Sequence, residues 1–155
     1  MSLRLDEIAD ACKTAIDAAL GTHSYQIQVA ESPDIETNDR NSPMFLTTRS
    51  VFIIPLGYEN PEMATRSEDV MDYRIGIVVC ERYTGMGAPP QDWLRERKQW
   101  VAENIYDVLL DQRAEPILDK IWPQAGAVTV ACDPEMVREH KIFWSEIEVT
   151  FREIV

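Results

Sequence analysis

Apolar residues recur at three- and four-residue spacing at the start of the chain. Leu5, Ile8, Ala9, Cys12, Ile16, Ala19 and Leu20 fall on one stripe, which predicts an amphipathic helix over residues 3–20. Asp6, Asp10, Lys13 and Asp17 lie off that stripe, and Ser2 and Gly21 suit its two caps. The period then drops to two. Tyr25, Ile27 and Val29 alternate with Gln26 and Gln28, a half-buried strand over 25–30. A second strand, 45–58, centres on Val51, Phe52, Ile53 and Ile54. Pro55 lacks a backbone donor, so this strand is expected to end there or to lie at an edge. In the third strand, 70–84, Met71, Tyr73, Ile75, Ile77, Val79 and Tyr83 share a face. The opposite face, Asp72, Arg74, Gly76, Val78, Cys80, Arg82 and Thr84, is mixed and reads as partly covered.

Helical spacing returns over 91–112, with Trp93, Leu94, Trp100, Val101, Ile105, Val108 and Leu109 on one stripe and Pro90 suited to the first turn. A shorter helix is predicted over 114–121, broken by the prolyl-glycyl stretch 122–126. A strand follows at 127–132. Residues 133–139 read as a turn with one helical turn after Pro134. The last strand, 141–154, sends Phe143, Ile147, Val149 and Phe151 inward and Glu146, Glu148, Thr150 and Arg152 outward.

The order is therefore α-β-β-β-α-β-β in one domain, residues 1–155. Strands grouped by hairpin-like connections on either side of one helix predict an α+β fold, a mostly antiparallel sheet with two main helices packed on one face. A doubly wound nucleotide fold would alternate strands and helices throughout. Two polar connections, 31–44 and 57–69, exceed ordinary hairpin loops, and loops of that length are usually functional or disordered.

Composition narrows the partners. The 155 residues carry 45% hydrophobic and 27% charged side chains, with 27 acids against 15 Lys and Arg, a formal net charge of -12. Such a surface disfavours sequence-independent nucleic-acid binding and docking on an anionic membrane. No apolar run reaches the roughly 18 residues that span a bilayer, and the amphipathic N-terminus is unlike a signal peptide. Cys12, Cys80 and Cys132 are odd in number and widely spaced, as expected of buried free thiols in a reducing compartment rather than of a disulfide framework or zinc site.

The candidate chemistry is thin. Gly85-Met86-Gly87 is followed by Ala88 and two prolines and reads as a turn, not a phosphate loop. His23 and His140 have no second ligand at metal spacing. Asp34, Glu36, Asn38 and Asp39 resemble the start of a calcium loop, but Asp39 stands at the glycine position and Phe45 at the final glutamate. Cys132 and His140 lack an orienting third group. No catalytic residue, cofactor or metal is expected. Arg95, Arg97 and Lys98 form a basic cluster flanked by Trp93 and Trp100. The tryptophans are seven apart, on the apolar stripe, so they read as core. The cations then form a solvated face or a contact with an acidic neighbouring subunit.

Three stretches carry a resemblance: Val51-Phe52-Ile53-Ile54-Pro55-Leu56-Gly57-Tyr58, Tyr73-Arg74-Ile75-Gly76-Ile77-Val78-Val79, and residues 93–110. In size and element order the chain resembles the tail terminator and tail completion proteins of long-tailed phages, most of the chain being covered in topology without a diagnostic motif. The resemblance implies a non-catalytic ring, commonly a hexamer, that joins the tail tube protein to the head connector. It would assemble in the host cytoplasm and end in the virion tail or neck. DNA would pass through the ring without being gripped, an acidic channel of several kT being repulsive. Interface residues expected on this basis are Glu59, Glu62, Met63, Arg66 and Glu68 of the second long connection, with Arg95, Arg97 and Lys98 of the helix. Three other readings stay open. They are another head–tail connector or neck protein, an acidic nucleic-acid mimic that inhibits a partner, and a small enzyme built from Glu68, Asp72, Glu81 and Glu146.

Overall fold

The structure, a computed structural model, describes residues 2–20, 25–31, 49–59, 70–110, 116–124 and 128–154. Helix α1 (Ser2–Leu20) precedes strands β1 (Gln26–Val29), β2 (Ser50–Glu59) and β3 (Val70–Arg82). Helix α2 (Gln91–Val101) continues through a π-helical turn (Ala102–Tyr106) into α3 (Asp107–Leu110). Strands β4 (Ile121–Pro123) and β5 (Val128–Val130), helix α4 (Pro134–His140) and strand β6 (Ile142–Ile154) follow. The fold is the expected α+β arrangement around one mostly antiparallel sheet of six strands.

The strands lie in the order β1-β2-β3-β6-β4. β3 pairs with β6 along the full length of both, from Val70 opposite Ile154 to Arg82 opposite Ile142. β4 and β5 therefore share the other edge of β6, one after the other. One pairing departs from the hairpin expectation: β1 runs parallel to β2, Gln26 to Val29 beside Ser50 to Ile53. Parallel neighbours need a crossover of about a dozen residues or more, and residues 30–49 provide that length.

Register sorts the side chains. Val51, Ile53, Tyr73, Ile75, Ile77 and Val79 face the same side as Phe143, Val149 and Phe151. Against them pack Ile8, Cys12 and Ile16 of α1, together with Leu94, Val101, Ile105 and Leu109 from α2 to α3. The opposite face carries a smaller cluster, Phe52, Ile54, Val78, Cys80 and Ile142, with Met136 of α4 and Trp144 beside it. The two main helices thus share one face, as predicted, while short α4 sits at the sheet's end.

Three local expectations change. Residues 116–121 are not helical: Leu118 and Ile121 form a bridge closed by Lys120 at φ 65°. Pro116 withholds a donor, so few residues remain to nucleate a helix, and wholly buried Ile121 is held at the edge of β6 instead. The turn at 133–139 is a two-turn helix, because Asp133 Oδ1 accepts the Glu135 amide at 2.9 Å and Pro134 occupies the first turn. Lys141, at φ 56°, ends it in the left-handed conformation. Pro55 does not end β2: the strand runs to Glu59 through a bulge between Pro55 and Gly57. β1 stops at Ile53, so among the described residues β2 is an edge where the proline sits. The predicted features at 32–48, 60–69, 111–115 and 125–127, with Gly21 and His23, lie outside the described residues.

Candidate functional site

The predicted cluster on α2 splits three ways. Arg95 is exposed and, among the described residues, pairs with Asp92, one turn back. Arg97 turns inward, its Nε 2.6 Å from Glu81 Oε2, while Arg49 Nε approaches Glu81 Oε1 at 3.1 Å. Glu81 is buried, and its site is roofed by the tryptophans. The Arg97 guanidinium lies 4.1 Å from the Trp93 ring centre and that of Arg49 lies 4.4 Å from Trp100. Tyr83 meets Trp93 edge-on at 5.2 Å. Arg97 is therefore not a freely solvated side chain: it bolts α2 to β3. The tryptophans are half-buried, one ring face given to a cation. Arg49 and Glu81 complete this group across the sheet, a pairing that spacing along the sequence does not reveal.

Lys98, one residue on, faces out into a groove. One side of the groove is α2 and its π-helical turn; the other is the segment from β5 through Cys132 into α4. The upper part encloses about 580 Å³ between Pro89 and Leu94 on one wall and Pro134 and Val137 on the other. Lys98, Arg138 and Lys141 line it, and no acid does. Beyond Lys98 a second hollow of about 370 Å³ continues past Val101 and Tyr106 to Thr129 and Ser145. Burial raises the Cys132 thiol above its usual pKa, although Lys98 pulls the other way. The sequence does not show Arg138 and Lys141 as a pair, because a turn at 133–139 hides the face that α4 gives them.

A second surface lies on the opposite face of the sheet. Ile54, Leu56, Gly76, Val78 and Val130 line a depression of about 250 Å³ edged by Glu146 and Glu148. Leu56 and Val130 are 46% and 43% exposed. Glu59 is exposed at the end of β2. Glu62, Met63, Arg66 and Glu68 lie outside the described residues.

The described carboxylates of the enzyme reading, Asp72, Glu81 and Glu146, do not converge, and Glu68 lies outside the described residues. Asp72 is held by Arg152 through two hydrogen bonds of 2.8 and 3.0 Å, and Glu81 by its two arginines on the other face. Glu146 accepts the Trp144 indole N–H at 2.8 Å. It sits opposite Val78, six residues along β3 from Asp72, a separation of roughly 20 Å at strand rise. Among the described residues no helix is long and apolar enough to cross a membrane.

Compared with known proteins, the chain matches no protein-family model, and no curated protein matches it.

Proposed function

We propose that the chain is a structural assembly protein of the phage tail-terminator type, forming a ring of identical copies at a head–tail junction. The reading rests on the α-β-β-β-α-β-β order, and the observation that carries it is the partly uncovered second face of the sheet. A face bearing Leu56 and Val130 in the open loses favourable burial until something covers it. The cover proposed is another copy. Copies of charge -12 repel at a distance, so association must come from short-range apolar contact, which this patch offers. Its rim holds both signs, Arg74 Nε lying 2.5 Å from Glu148 Oε1, and so tolerates a like surface. A connector or neck role would use the same face.

Light scattering at high protein concentration tests this, with negative-stain imaging for the ring. The expected result is a closed oligomer that Leu56→Asp with Val130→Asp converts to a folded monomer. A wild-type protein that stays monomeric at every concentration rules the reading out.

A further inference from the structure

We propose that the groove between α2 and α4 binds a short, extended, acidic peptide segment with an apolar anchor. Its carboxylates would meet Lys98, Arg138 and Lys141, and the anchor would enter between Leu94 and Val137. The site is separate from the open sheet face and does not depend on self-assembly.

The first support is electrostatic. Arg4, Arg49, Arg74, Arg95, Arg97 and Arg152 each have a carboxylate partner. Lys98, Arg138 and Lys141 have none among the described residues, although acids outnumber bases 27 to 15; Lys13 and Lys120 have none either, but only the first three line one hollow. Three like charges gathered around one hollow repel one another, and an anion placed among them recovers that energy. No acid lines either hollow, so the cations are available to a ligand.

The second support is shape and lining. The upper hollow, about 580 Å³, falls in the range of ligand pockets. Its apolar walls, including Pro89, Leu94 and Val137, reward an aliphatic or aromatic side chain, which a bare anion lacks. The lower hollow prolongs the site past Lys98, so the groove is elongated and suits a run of chain. A nucleic acid fits poorly, because a long polyanion meets the full repulsion of a -12 chain. A few carboxylates with an anchor meet less of it and bury apolar area in return.

The test is fluorescence anisotropy on the full chain with a fluorescein-labelled peptide of about ten residues, long enough to run through both hollows. The probe alternates Glu and Leu; control peptides carry Gln for Glu or Ser for Leu. Saturable binding is expected for the Glu–Leu peptide, about tenfold weaker binding for either control, and weakening as salt rises. Lys98→Glu with Arg138→Glu, both at exposed positions, should weaken it by about tenfold or more with the circular dichroism spectrum unchanged. Leu56→Asp with Val130→Asp should leave it unaltered, which separates this site from the assembly face. Equal binding of the Gln–Leu peptide, or wild-type affinity in the charge-reversed protein, overturns the proposal. So does binding of inorganic phosphate with no peptide binding, which would mark a simple anion site.

Discussion

The two faces of the sheet are built from the same strands but held differently. On the helix-covered face, alternate residues of β2, β3 and β6 meet α1 and α2–α3 in one continuous cluster. Its charged members are few and enclosed: Glu81 between two arginines, and Glu153, which accepts the Tyr73 hydroxyl at 3.1 Å and faces Arg4 at 3.3 Å. The other face alternates apolar side chains with ion pairs across strands, Asp72–Arg152 and Arg74–Glu148, open to water on one side. Dry burial makes the first face the source of stability. Partial exposure leaves the second contributing less.

The widest separation between the faces is expected from deletions of bulk. Phe151→Ala empties a fully buried site and should cost about 3–5 kcal/mol in urea unfolding. Leu56→Ala on the open face should cost well under half of that. Near-equal losses would mean that the second face is as buried in solution as the first.

Next come the ion pairs. Glu81→Ala leaves Arg49 and Arg97 facing each other, with side chains only 15% and 14% exposed, and should cost about 3 kcal/mol. Asp72→Ala leaves Arg152, one-third exposed, able to reach water, so the loss should be about 1–2 kcal/mol. Double-mutant cycles with Arg97→Ala and Arg152→Ala would measure the two couplings directly. A stronger coupling for Asp72 would break the comparison.

Alkaline titration is expected to give the smallest effect, with one buried thiol under each face. Burial raises Cys12 on α1 and Cys80 on the second face well above the ordinary thiol value of 9.0. The folded pKa exceeds the unfolded one, so the stabilisation is complete below pH 9.0 and falls as pH rises towards the folded values. Between pH 9 and 10 each thiol should withdraw about 1 kcal/mol. Tyr73, pushed up to about 12 first by burial and then by Glu153, adds a further loss above the ordinary tyrosine value of 10.0. Cys12→Ala and Cys80→Ala should each flatten the fall in urea midpoint. If Cys80→Ala leaves the slope unchanged, the second face admits water to that thiol in the native state.

Periodicity settled much of this molecule before any coordinates. The stripe from Ile8 to Leu20, the alternation of Tyr73 to Val79 and the inward set from Phe143 to Phe151 all read correctly, because one buried face per element imposes its own period. Local capping is legible too: Asp133-Pro134 is a helix start. What spacing along the chain did not carry were relations between elements. The parallel direction of β1, the edge position of Ile121 and the meeting of Arg49, Glu81 and Arg97 depend on residues far apart in sequence. The same holds for the basic cluster. On a helical stripe Arg97 and Lys98 are neighbours with one charge, yet a rotation of about 100° per residue points them apart. Only the packing of α2 on β3 decided that Arg97 would be consumed by a buried carboxylate, while Lys98 would open into a groove with Arg138 and Lys141. Sequence determined which side chains needed burial; tertiary structure decided which charges were left over.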